Sequence, residues 1–109
     1  MRIVLDENLP RPMKGFFGVL HTVATVQELG LSGTSNGELL SQLEGQFDVF
    51  VTADQNLRYQ QNLTERRIAI VELPTNRLPA LRTMSVQIVE AVTTAEAGTY
   101  IQLSTVIEE

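Results

Sequence analysis

Two short apolar runs in this 109-residue chain are each closed by an aspartate. Ile3-Val4-Leu5 stops at Asp6, and Val49-Phe50-Val51-Thr52 leads to Asp54. Two carboxylates held within a few ångströms repel each other, and one then keeps its proton to higher pH. A hard divalent cation removes that penalty. Mg2+ or Mn2+ takes oxygen ligands, retains several waters and needs few protein carboxylates. In nucleases such ions activate water and stabilise the charge on the phosphodiester being cut. Asp6 and Asp54 are thus candidate metal ligands and catalytic residues. The plainer alternative is that both are loop or cap residues, where aspartate is common because it bonds nearby backbone.

The elements that would bring the two acids together follow from the apolar pattern. Ile3-Val4-Leu5 reads as a buried strand, and Thr22-Val23-Ala24-Thr25-Val26 as a second. Val49-Phe50-Val51-Thr52 is a third, and Ile68-Ala69-Ile70-Val71 a fourth, ended by Pro74. Between the first two, Pro10 and Pro12 suit a helix entrance, with Met13, Phe16, Phe17 and Leu20 as its apolar face. Ser35 or Asn36 can cap a helix carrying Leu39, Leu40 and Leu43 and ending near Gly45. A short helical turn is expected around Leu57 to Tyr59. Pro79 opens the longest helical pattern, with Leu81, Met84, Ile88 and Val92 in one stripe, and Gly98 stops it. Tyr100-Ile101-Gln102-Leu103 reads as an extra edge strand.

Strands alternating with helices imply a parallel sheet covered on both faces, hence a three-layer α/β/α domain spanning residues 1–109. Right-handed crossovers restrict the order of strands, and 2-1-3-4 satisfies them. The gap between strands one and three is then a topological switch point, where ligands bind beyond the carboxyl ends of the strands. Asp6 and Asp54 both fall at that gap.

Composition narrows the classes of function. The net charge of −5 argues against nonspecific coating of nucleic acid. Residues 19–57 contain Glu28, Glu38, Glu44, Asp48 and Asp54 with no Lys or Arg, so the basic residues fall in two blocks, within residues 1–18 and 58–82. Every basic residue except Lys14 is arginine, whose planar fork suits phosphate. Arg11, Lys14 and Arg58 are candidate substrate contacts, against the plainer reading of solvated surface charge. The absence of cysteine excludes disulfides, thiolate metal sites and a cysteine nucleophile. No run of about 18 apolar residues is present, so no membrane span is expected. The first residues turn acidic too early for a secretory signal, and a cytoplasmic setting is the default expectation.

Leu5-Asp6-Glu7-Asn8-Leu9, followed by Val51-Thr52-Ala53-Asp54, resembles the PIN-domain pattern. In that pattern Asp-x-Asn/Ser follows the first strand and Thr/Ser-x-Asp a later buried strand. The opening Leu-Asp-Glu-Asn-Leu-Pro looks like a family of small, mostly uncharacterised bacterial PIN-like proteins related to VapC-type toxins. The similarity extends through Glu28-Leu29-Gly30-Leu31, Ser35, Leu39 and Leu40 to Asn56-Leu57, covering most of residues 1–73. It implies a Mg2+- or Mn2+-dependent endoribonuclease of a toxin–antitoxin pair that hydrolyses RNA phosphodiesters. A small antitoxin would be its partner, and homodimers are expected. Asp6 and Asp54 would be the metal ligands, with Asn8 and Thr52 orienting them.

The chain departs from the pattern at two positions. Asn36 stands where the helix acid is expected and Asn56 where the last acid is expected. An amide oxygen can coordinate, as Asn56 would at the metal, but it adds no negative charge. Glu38, two residues along from Asn36, is the candidate to stand in for the missing acid around the metal, although residues two apart on a helix do not share a face. A non-catalytic PIN-like module that binds an antitoxin or a second copy is therefore the competing reading. A receiver-type signalling domain shares the strand order and an acidic site, but it needs a lysine after the last strand. The only lysine here is Lys14.

Glu7 reads as loop charge or as a minor support for the neighbouring Asp6, and the lone His21 as structural or surface. Phe16, Phe17, Phe47 and Phe50 read as core, and Tyr59, beside Arg58, as a candidate for stacking on a base. Neither a Gly-x-Gly-x-x-Gly nor a Gly-Lys-Ser/Thr phosphate loop occurs.

Overall fold

Short β-rich runs cannot bury their backbone alone, and here they satisfy it by pairing side by side. The computed structural model describes residues 1–57 and 66–104. Five strands form one sheet: β1 (Arg2–Leu5), β2 (Thr22–Thr25), β3 (Val49–Thr52), β4 (Ala69–Glu72) and β5 (Tyr100–Gln102). Their order is β2-β1-β3-β4-β5, and every pairing is parallel. The expected 2-1-3-4 order and the added edge strand are both present. β3 and β4 are buried at every position, the signature of parallel strands covered on both faces.

Side chains alternate across the strands, so two cores form. On one face Ile3, Leu5, Val49, Val51, Ala69 and Val71 pack with Met13, Phe17, Leu81, Met84, Ile88 and Val92. On the other, Val4, Phe50 and Ile70 meet Leu39, Leu40 and Leu43 of α1 (Asn36–Leu43), together with Val26, Leu57 and Ile68. Asp6, two residues after Val4, and Thr52, two after Phe50, continue the second face to the carboxyl edge of the sheet.

The segment after β1 is not an α-helix. It is a 3-10 helix, Arg11–Phe17, entered through Pro10 and left at Gly18, whose φ of 66° turns the chain away. Leu20 therefore lies beyond the helix and is 87% exposed instead of facing the core. Phe17 and Phe50 are buried, whereas Phe16 and Phe47 are only partly covered at the margins of the two cores.

The long C-terminal helical pattern is also divided. α2 (Leu78–Thr83) and α3 (Ser85–Thr94) meet at Met84, whose ψ of 6° swings the backbone off the helical path. Leu81, Met84, Ile88 and Val92 all remain buried, so the apolar stripe survives the bend. The fourth strand is shifted one residue from its expected start and closes on Glu72, which is buried. Among the described residues no helix is long and apolar enough to cross a membrane.

Candidate functional site

Because β1 and β3 are neighbours and parallel, both of their carboxyl ends open on one edge. The connections leave in opposite directions there, β1 to β2 on one side and β3 to β4 on the other. The Asp6 N–H donates to the Val51 carbonyl at 2.9 Å, which carries the β1–β3 ladder up to the acid itself.

Thr52 joins the two aspartates. Its hydroxyl donates to Asp6 Oδ2 at 2.6 Å and accepts the Asp54 N–H at 3.0 Å. The remaining Asp6 oxygen, Oδ1, accepts the Glu7 N–H at 2.8 Å. Asp54 Oδ1 accepts the Asn56 N–H at 2.9 Å, and Asp54 Oδ2 accepts Nδ2 of Asn36 at 3.1 Å. Each carboxylate oxygen thus holds one donor and keeps acceptor capacity for another.

The electrostatics follow from that packing. Asp6 is 8% exposed, and its burial pushes the carboxyl above the ordinary aspartate range. The Thr52 hydroxyl and the Glu7 N–H oppose the shift, while the charges of Glu7 and Asp54 add to it. A cation would relieve both the burial and the repulsion. The donor set is consistent with one Mg2+ or Mn2+ held by Asp6 and Asp54 and completed largely by water. Among the described residues no group of three acidic, histidine or cysteine side chains could share a metal.

The other expected site residues divide into those that reach the pair and those that do not. Asn36 reaches it, as the first residue of α1. Asn56 does so through its backbone N–H rather than its amide side chain. Asn8 lies one step away: its Oδ1 accepts the Ala53 N–H at 3.4 Å and ties the loop after β1 to the loop after β3. Glu38 is exposed on α1, where it meets Gln42 Nε2 at 3.5 Å and makes no hydrogen bond to either aspartate. Lys14 is turned to Glu28, with Nζ 2.8 and 2.9 Å from the two carboxylate oxygens, so its charge is balanced inside the fold. Arg11 remains exposed at the edge. Arg58 and Tyr59, and the helical turn expected from Leu57, lie outside the described residues beyond Leu57 itself, which is buried.

Several polar links were not anticipated. Glu7 braces the loop before α1, its carboxylate accepting the Gly33 N–H at 3.2 and 3.3 Å. Gly33 has φ 79°, a conformation that side-chain-bearing residues rarely adopt. Gln55 Nε2 donates to the Pro74 carbonyl at 3.2 Å, bringing the loop after β4 to the same edge. Glu72 ends β4 as Asp6 follows β1, and its carboxylate accepts the Tyr100 hydroxyl. An acid closing an apolar run was the signal that pointed to Asp6 and would have pointed to Glu72 as well. His21 packs edge-on against Phe17, and its Nδ1 is buried without a hydrogen-bond partner among the described residues.

Comparison with protein-family models, with curated proteins and with solved structures gives no match in any of the three.

Proposed function

We propose that this chain is a PIN-like metal-dependent phosphodiesterase. Asp6 and Asp54 hold one Mg2+ or Mn2+, and the substrate is RNA. The observation that carries this reading is the Thr52 hydroxyl, bonded to Asp6 and to the Asp54 N–H at the switch point of a parallel sheet. When bound, such an ion supplies an activated water and neutralises charge on the phosphodiester. The chain's own residues do the rest. Thr52, Glu7 N–H, Asn36 and Asn56 N–H hold the two carboxylates in place, and Arg11 is the exposed cation beside them that the RNA would meet. A role as the toxin of a toxin–antitoxin pair, with a small antitoxin or a second copy as partner, belongs to the same proposal.

The test is a manganese titration read by thermal melting. An ion that binds only the folded chain stabilises it by about 2.7 kcal/mol at a hundredfold excess over Kd. The native protein is expected to show that rise, and Asp6→Asn and Asp54→Asn to lose it. Magnesium-dependent RNA cleavage abolished in Asp6→Ala completes the case. An unchanged melting temperature in the native chain would refute the metal site.

A second reading is favoured by one contact. The neutral Asn36 amide donates to Asp54, doing for that carboxylate part of what a cation would do. On this reading the domain is a non-catalytic interaction module. Cleavage appearing only in the Asn36→Asp, Asn56→Asp double variant would decide for it.

A further inference from the structure

A second recess opens on the same edge, one strand across from the aspartates. Leu9, Arg11, Thr25 and Gln27 line about 320 Å3 of space, within the range of small-ligand pockets. It adjoins Asp6 through the backbone. The Leu9 N–H bonds the Asp6 carbonyl at 3.1 Å, and Thr25 is the register partner of Leu5. Leu9 and Thr25 are buried and form the floor, while Arg11 and Gln27 are exposed and form the rim.

The rim is chemically matched to one kind of ligand. Arg11 makes no hydrogen bond or ion pair with another described residue, so its two-pronged donor faces solvent. Gln27 donates Nε2 to the Glu7 carbonyl at 3.2 Å, which orients the amide and leaves Oε1 as an unused acceptor. The neighbouring charges do not compete, because Lys14 and Glu28 are bound to each other. A bare anion would satisfy Arg11 but would meet the Gln27 acceptor unfavourably. A guanine base satisfies both, with O6 and N7 as acceptors for arginine and N1–H and N2–H as donors to the amide. The apolar Leu9 floor suits the face of such a ring.

We propose that this recess binds a guanine base of single-stranded RNA, beside the phosphodiester presented to Asp6 and Asp54. The proposal takes its polymer from the phosphodiesterase reading, but the recess can be tested without cleavage. The full chain in EDTA is titrated with GMP, AMP, CMP, UMP and inorganic phosphate, followed by amide resonances in NMR. Saturable GMP binding about tenfold or more tighter than the other nucleotides is expected, with shifts at Leu9, Thr25 and Gln27. Gln27→Ala and Arg11→Ala should each weaken it about tenfold, and Arg11→Lys should weaken it as much as Arg11→Ala, because the fork is lost. Both residues are exposed, and an unchanged amide spectrum verifies that the variants fold. Asp6→Asn should retain GMP binding. Absence of saturable GMP binding, equal affinity for all four nucleotides, or equal affinity for phosphate overturns the proposal. Intact GMP binding with no manganese response would instead remove the hydrolase reading and leave the recess standing.

Discussion

Asp6 is a carboxylate maintained against its own preference. Burial raises its proton affinity in the folded chain, and the Glu7 and Asp54 charges reinforce the effect. Below the ordinary aspartate value of about 4 it is protonated both folded and unfolded. Between that value and the raised one, only the folded chain keeps the proton, so the Asp6 contribution to stability declines as pH rises through this window. In EDTA the melting temperature of Asp6→Asn relative to the native chain should therefore become more positive from about pH 4 to pH 7. A difference that stays flat would show that Asp6 titrates normally. Thr52 tests the same site from the other side. Thr52→Val removes the hydroxyl from both aspartates and is expected to weaken manganese binding about 10- to 100-fold, whereas Thr52→Ser retains it. Glu28 has the opposite electrostatics: the Lys14 ammonium, aided by the Thr25 N–H, holds its carboxyl below the ordinary glutamate value.

The helix α1 does two jobs that its sequence pattern presents separately. Leu39, Leu40 and Leu43 attach it to Val4, Phe50 and Ile70, and that attachment sets Asn36 beside Asp54. Leu40→Ala leaves a cavity under the helix and should cost roughly 2–5 kcal/mol, measured as a lower urea midpoint. The strands were legible as short unbroken β-rich apolar runs, the pattern of strands buried on both faces, and α1 through the helical spacing of Leu39, Leu40 and Leu43. The 3-10 helix was not, because Met13, Phe16 and Phe17 fit an apolar helical face in either geometry. Nor was the bend at Met84. A stripe spaced for one helix also serves two that share a single buried residue at their junction.

At the scale of the molecule, the winding of the sheet gathers the loops after β1, β3 and β4 on one edge of an acidic protein. Gln55 bonded to Pro74 and Asn8 bonded to Ala53 are the cross-links between those loops. Arg77, the N-cap residue of α2, is exposed on the loop after β4, as Arg11 is on the loop after β1. With so few cations at the edge, RNA binding by the Asp6→Asn variant should depend only modestly on salt. Each phosphate neutralised contributes a slope of about −0.7 in log K against log salt; with Arg11 engaged by the base, Arg77 leaves about that single contribution. A much steeper slope would indicate a binding surface elsewhere. Phe16, Val86 and Val89 line a separate apolar groove of about 450 Å3, with Val86 77% exposed.

Local information determined the alternation of strands and helices, hence a layered parallel architecture compatible with the 2-1-3-4 order, and the candidacy of Asp6 and Asp54. Short apolar runs, the helical spacing between them and the handedness of crossovers are properties a chain carries along its length. Only the folded arrangement decided which polar groups meet: that Thr52 bridges the acids, that Lys14 is balanced by Glu28, and that Gln27 and Arg11 share a recess. Those contacts join residues from different loops, and their geometry depends on how neighbouring strands and helices pack. No spacing within a single segment encodes it.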